Sequence, residues 1–216
     1  MKKSSSQPKF LQLLTTLERK IFKEDPQQAQ LLPPSWKSDL HEKLLHSQKR
    51  IQEAISLLKI IPKFEEQFSK KQINHALQQM KQKTDAYLYE LLDLSEEMLL
   101  DIYTFGHRLL EKKHYRDAGN IFLFLTTLAP VIPIFWIALG KCEEHLENYE
   151  EASFSYSMGI SENHLAAAIN AANCFLKIGK EEEAKRLLER VLQEIEALPE
   201  NQTTRTKIEQ FLTHIS

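Results

Sequence analysis

An all-α fold is what this sequence predicts, and three observations carry that expectation. Only 5 Gly and 8 Pro punctuate 216 residues, while Leu, Gln, Glu and Lys are abundant. That composition favours helices joined by short turns over strands and hairpins. Apolar residues recur at three- and four-residue spacing over most of the chain. Thirdly, the second half repeats itself. Tyr115-Arg-Asp-Ala118 matches Tyr149-Glu-Glu-Ala152 in type, 34 residues later, and Gly106 and Gly140, like Phe122 and Tyr156, stand 34 apart.

A 34-residue period is that of the tetratricopeptide repeat, a helix–turn–helix unit. The first unit holds Ile102, Phe105, Gly106, Tyr115, Ala118, Phe122 and Pro130, and the second holds Trp136, Leu139, Gly140, Tyr149, Ala152 and Tyr156. A third follows two residues early, with Ala168, Ala171, Ala172, Gly179, Ala184 and Leu188. Gly or Ala is needed where two helices of a pair nearly touch, and large side chains fill the space around them. Cys142 and Cys174 each fall two residues after that contact position, so they are expected to be buried packing residues.

The repeat also settles how to read Ile121–Gly140, twenty residues without a charge and long enough to span a bilayer. Pro130 falls in the turn between repeats, and Pro133 at the first position of the next helix, where its missing N–H costs nothing. The segment is expected to be core split over two helices, with no membrane insertion.

Ahead of the repeats, Phe10, Leu13, Leu14, Leu17 and Ile21 mark an amphipathic helix, and Leu32-Pro33-Pro34-Ser35 is a connector. From about Ser38 a helix carries Leu44, Gln48, Ile51, Ile55 and Leu58 and stops at Pro62. Another carries Ile73, Leu77, Met80, Thr84, Tyr87, Leu91, Leu94 and Met98 in one heptad rhythm. Two heptad helices about a Pro turn form either an antiparallel helical hairpin or a dimer-forming coiled coil; the short turn favours the hairpin. After repeat three, Leu198-Pro199 breaks the chain, and Ile208, Phe211, Leu212 and Ile215 form a capping helix. The expected organisation is therefore a helical region over 1–94 and three repeats with a cap over 95–216.

Charge follows the same division. Residues 1–83 carry 16 Lys and Arg against 8 Asp and Glu, and residues 84–216 carry 12 against 22, so a +8 region precedes a −10 region. This asymmetry points to different partners, to mutual attraction, or to two differently decorated surfaces. The lysines lack an interleaved aromatic platform, and pI is ≈ 6.5, which argues against nucleic acid. MKKSSSQPKF is not followed by an apolar stretch of signal-peptide type, and two cysteines make no disulfide framework, so a reducing cytosol is expected.

Catalytic patterns are missing. His41-Glu-Lys-Leu-Leu-His46 approximates the zinc-protease motif, but its histidines are five apart, about 140° around a helix. No Gly-rich phosphate loop, nucleophile elbow or Cys/His cluster occurs. Neither an enzyme, a metal nor a cofactor is expected.

In each repeat the first helix carries two apolar stripes. One, Ile102, Phe105 and Leu109, or Trp136 and Leu139, packs the array. The second is Leu100, Tyr103, His107 and Leu110 in repeat one, Ile134, Ile137 and Lys141 in repeat two, and Ala166, Ile169, Asn173 and Leu176 in repeat three. A free-standing solenoid does not need this second stripe. It suits an extended peptide whose apolar anchors enter pockets, or else a covering by the amino-terminal hairpin or a second subunit.

Four segments go further. Leu94-Ser-Glu-Glu-Met-Leu-Leu-Asp-Ile-Tyr103, KHYRDAGNIF (113–122), ALGKCEEHLENYEEASFSYSMG (138–159) and NAANCFLKIGKEEEA (170–184) resemble the class II chaperones of bacterial type III secretion, the SycD-like translocator chaperones. The Ser-Tyr-Ser-x-Gly run at 155–159 and the Ala-Ala-x-Cys run at 171–174 are the most specific. The resemblance implies a cytoplasmic bacterial chaperone, monomeric or homodimeric, whose first helices line a concave groove. There it would hold an extended segment of a secreted translocator or effector. A regulator or a gate or base component of the secretion apparatus is a further implied partner, and the alternative role is that of an adaptor component peripheral at that apparatus. Unlike the family pattern, some ninety residues precede the repeats, and Glu147 replaces the Gly of the repeat-two turn.

Overall fold

The computed structural model describes residues 40–79, 86–161, 163–195 and 202–215, with eleven helices and no strand among them. The expected helix over 10–21, the connector at 32–35, Met80, Thr84 and the break at Leu198-Pro199 lie outside the described residues, as do the side chains of Leu44 and Leu77.

Helix α1 (Leu40–Leu58) buries Ile51, Ala54 and Leu58, whose three- and four-residue spacing keeps them on one face. That face lies along α6 (Tyr115–Leu128), the second helix of repeat one. Past Pro62 the chain turns through Lys63, at φ 64°, into the one-turn helix α2 (Phe64–Gln67). Phe64 and Phe68 stack at 4.4 Å between ring centres and meet Phe124 of α6 at 6.2 and 5.4 Å. Helix α3 (Lys70–Gln79) adds Ile73 and Ala76 to the same apolar cluster. The two arms on either side of Pro62 thus pack onto repeat one as part of its core.

The heptad read as one helix from Ile73 to Met98 is instead divided. After α3 comes α4 (Leu88–Leu91), which ends before Asp93 at φ 54°. Helix α5 starts afresh at Glu96, because the Ser95 Oγ accepts a hydrogen bond from the Met98 N–H at 3.1 Å. The Glu90 carboxylate likewise accepts from the Tyr87 N–H at 2.8 Å. Local side-chain caps here override an apolar rhythm that would tolerate a continuous helix.

From there the helices alternate as the repeat requires. Helices α5 (Glu96–Glu111) and α6 form repeat one, α7 (Pro133–His145) and α8 (Tyr149–Met158) repeat two, α9 (Ala166–Lys177) and α10 (Glu181–Ile195) repeat three. Helix α11 (Gln202–His214) caps the array through Ile208, which is fully buried with Leu188 and Val191. Pro133 is the first residue of α7, as expected, and no helix among the described residues is long and apolar enough to cross a membrane.

The close contacts fall where the repeat places small residues. A Cβ on Gly106 would stand 2.9 Å from Ile121 and 3.0 Å from Phe122; one on Gly140 would stand 2.9 Å from the Tyr156 ring. Neither helix pair closes around a side chain at these points. Cys142 and Cys174 are both fully buried.

Candidate groove between the first helices

First helices of successive repeats stand side by side. Tyr103 of α5 packs its ring 5.8 Å from Phe135 of α7 and 5.7 Å from Phe122 of α6. Lys177 of α9 reaches back to Glu144 of α7 at 3.6 Å. Between α7 and α9 two open clefts form, of ≈ 500 Å³ and ≈ 300 Å³, sharing Ile137 and Asn170. No residue of α1–α4 lines either one.

The smaller cleft is walled by Ile134 and Ile137 on one side and by Ala166 and Asn170 on the other, with Thr204 of α11 at its end. The larger is lined by Ile137 and Lys141, by Asn170 and Lys177, and by Glu144, His145 and Tyr156. Its polar side is tied together. Tyr156 donates its hydroxyl to Glu144 Oε2 at 2.8 Å, and Lys177 sits 4.4 Å over the Tyr149 ring. His145 stacks on Tyr115 at 4.2 Å with the rings nearly parallel. Burial, then the hydrogen bond to Glu144, holds the Tyr156 phenol well above its ordinary pKa, so it stays a donor. Burial also raises Tyr103. Behind the groove, the Cys142 thiol is pushed up to about 12 and that of Cys174 to about 11, burial being the largest cause in each. Both are inert packing groups at neutral pH. Among the described residues no group of three or more His, Cys, Asp and Glu could hold a metal ion.

The stripe read from the sequence is only partly assembled here. Ile134, Ile137, Lys141 and Ala166 line the clefts. Leu100 and His107 are exposed on α5, His107 beside Glu111 at 3.4 Å, and Tyr103 is half-buried. Leu110 is a correction: at 8 % exposure it belongs to the core of repeat one and presents no surface. Ile169 and Leu176 are half-buried against the third repeat's own core, and Asn173 lines neither cleft. The reason is geometric. A groove between two neighbours is walled by different flanks of the two helices, so the stripe does not transfer whole from α7 to α9: Ile134 and Ala166, 32 residues apart, both line the smaller cleft, but Ile169 and Asn173, the counterparts of Ile137 and Lys141, do not. The α9 wall is Ala166, Asn170 and Lys177, spaced by four and seven. Asn170, Glu144, Tyr156 and Lys177 were missed; reading α9 for the flank that faces α7 would have found two of them.

A second polar site was also invisible in the sequence. Glu143 of α7, 1 % exposed, pairs with Arg50 of α1 at 2.6 Å and accepts from Asn148 Nδ2 at 2.8 Å. Arg50 Nε donates to Asn120 Oδ1 of α6 at 2.8 Å, and Asn120 Nδ2 donates to Glu53 at 2.9 Å.

The comparisons with known proteins bear on this arrangement. No family model matches the chain. The low calcium response locus protein H of Yersinia pseudotuberculosis is 28% identical over 129 residues, 58% of this chain and 76% of the relative. The Yersinia enterocolitica type III secretion translocator chaperone SycD superposes with a TM-score of 0.52 at 25% identity, over 60% of this chain and 98% of SycD. The chain resembles the type III translocator chaperones. A type III secretion complex from Aeromonas hydrophila contains a similar chain, with a TM-score of 0.54 and 25% identity over 65% of this chain and 94% of that one. Translocator-chaperone likeness therefore extends over the whole length of SycD and leaves about two fifths of this chain unmatched by it.

Proposed function

We propose that this protein is a non-enzymatic, cytoplasmic type III secretion chaperone that holds an extended apolar segment of a translocator or effector in the groove between α5, α7 and α9. One observation supports this above others: an apolar flank, Leu100, Ile134 and Ile137, is left open along the first helices of a repeat array built like SycD. Leu100 is 62 % exposed, although nothing in the packing of repeat one needs a Leu there. Client side chains entering the clefts would gain about 25 cal/mol per Å² of apolar surface buried. A few large anchors would dominate the affinity. Covering those anchors would keep the client from aggregating or inserting in a membrane before export.

The test is co-purification of the client from the native host with a Leu100→Glu/Ile137→Glu variant. Tyr103 and Ile169 are left intact to limit the damage to the core, against which Ile137 packs as well. Loss of client with unchanged helical circular dichroism is the expected result. Full retention of client by that folded variant would remove the groove from the mechanism.

A further inference from the structure

The two clefts differ in chemistry and share a wall, and this constrains what lies across them. Ile134, Ile137, Leu165, Ala166 and Ala167 give the smaller cleft an aliphatic side, with Asn163, His164, Asn170 and Thr204 as its polar edge. In the larger cleft the Glu144 carboxylate is already engaged by the Tyr156 hydroxyl and by Lys177. Lys141, on α7 one turn before Glu144 and exposed, has no carboxylate within ion-pair distance among the described residues. With Glu144 paired to Lys177, Lys141 leaves the lining net positive, inside a region that carries −10 overall. A cation without an ion-pair partner, in a region of net negative charge, marks where an anionic side chain is accepted and a cationic one is not.

Asn170 stands between the two clefts and lines both. Its half-buried amide makes no hydrogen bond to any other described residue. A side-chain amide offers donors and an acceptor together, the complement of one peptide unit in an extended chain. In such a chain, residues i and i+2 point to the same side, about 6.6 Å apart, so one enters each cleft while the main chain between them crosses Asn170.

We infer that the groove selects a client segment in which an aliphatic residue and an Asp or Glu stand two positions apart, in either order, the main chain between them held by the Asn170 amide. This rests on the groove reading above and specifies its occupant. The acidic residue meets Lys141, and the aliphatic one meets Ile134, Ile137 and Ala166.

The experiment is selection of a phage-displayed random dodecapeptide library on the immobilised full chain at about 50 mM salt, where surface charge is weakly screened. Wild-type protein is expected to enrich aliphatic-x-Asp/Glu, read in one chain direction or the other, about five-fold over the same spacing with Asn, the effect of one partly exposed ion pair. Lys141→Glu should shift enrichment to aliphatic-x-Lys/Arg, and Asn170→Ala should lower recovery of every sequence without changing the motif. The absence of acidic enrichment, or an unchanged motif from Lys141→Glu, overturns the inference. Ile137→Glu, used only if its helical circular dichroism and urea midpoint match wild type because Ile137 also packs against the core, separates the two levels. If it abolishes recovery while no charge motif is seen, only this inference fails. If it recovers peptides as well as wild type, or if wild type recovers none, the groove reading fails with it.

Discussion

Glu147 shows how far single residues were legible. The sequence placed it where the repeat-two turn calls for Gly, and its backbone does adopt the left-handed conformation, at φ 63°. Lys113 and Gly179 hold the same place in repeats one and three, at φ 62° and 71°. In all three the next residue closes the same bond. His114 N–H donates to the Leu109 carbonyl at 2.9 Å, Asn148 N–H to Glu143 at 2.9 Å, and Lys180 N–H to Phe175 at 2.8 Å, the pattern that ends a helix with a left-handed residue. A Cβ in that conformation costs roughly 1–2 kcal/mol, which Gly avoids at the expense of a more flexible unfolded chain. Glu147→Gly should therefore raise stability by about 0.5–1 kcal/mol, read as a higher urea midpoint with an unchanged slope. Asn170 was not legible in this way. Nothing in its type or spacing separates it from Asn173, and only the facing of α9 toward α7 does.

At the level of helices, apolar spacing showed that α1 exists and which face it buries, but not what it is buried against. Ile51, Ala54 and Leu58 are satisfied by any apolar partner, so the pattern fits a hairpin, a coiled coil or α6 equally well. What fixes the docking is polar and 70 residues distant: Arg50 binding Asn120 while its other nitrogen pairs with the buried Glu143. Such pairs carry no periodic signature. The break of the 73–98 heptad escaped for a similar reason, since Ser95 and Glu90 act through hydrogen bonds that a hydrophobic count does not register. The Arg50 pair makes a sharp prediction. Arg50→Met leaves the Glu143 carboxylate buried without its cation and should cost about 3–5 kcal/mol. Arg50→Met/Glu143→Leu, measured by the same urea titration, should recover most of that loss, because a buried pair replaced by apolar groups is close to neutral. Equal destabilisation by the single and double changes would mean that the Arg50 stem, not its charge, holds α1 in place.

At the scale of the whole molecule, the described parts on either side of residue 94 share a continuous interior. The expected boundary at 94 falls just before α5, and one apolar cluster runs across it from Ile51 to Cys142. Further along, Tyr156 and Cys174 join repeats two and three, while Cys142 closes the cluster shared with repeat one; the thiols are fully buried and Tyr156 nearly so. All three groups hold their protons more tightly folded than unfolded, which couples their titration to global unfolding. Below the ordinary thiol value of 9.0 both states keep these protons, and no stability depends on them. As pH rises past 9.0 the unfolded thiols ionise while the folded ones, at about 12 and about 11, stay neutral. The unfolded state then binds fewer protons, so stability falls with pH, by at most about 1.4 kcal/mol per pH unit for each group. Unfolding midpoints measured from pH 8 to pH 10.5 should be level up to about 9 and then decline. The Cys142→Ala/Cys174→Ala variant should start lower at pH 8, having lost two well-packed sulfurs, yet decline less steeply above pH 9. A slope identical to that of the wild type would show that the thiols ionise as readily inside the repeats as outside, and that the interior between α7, α8 and α9 admits water.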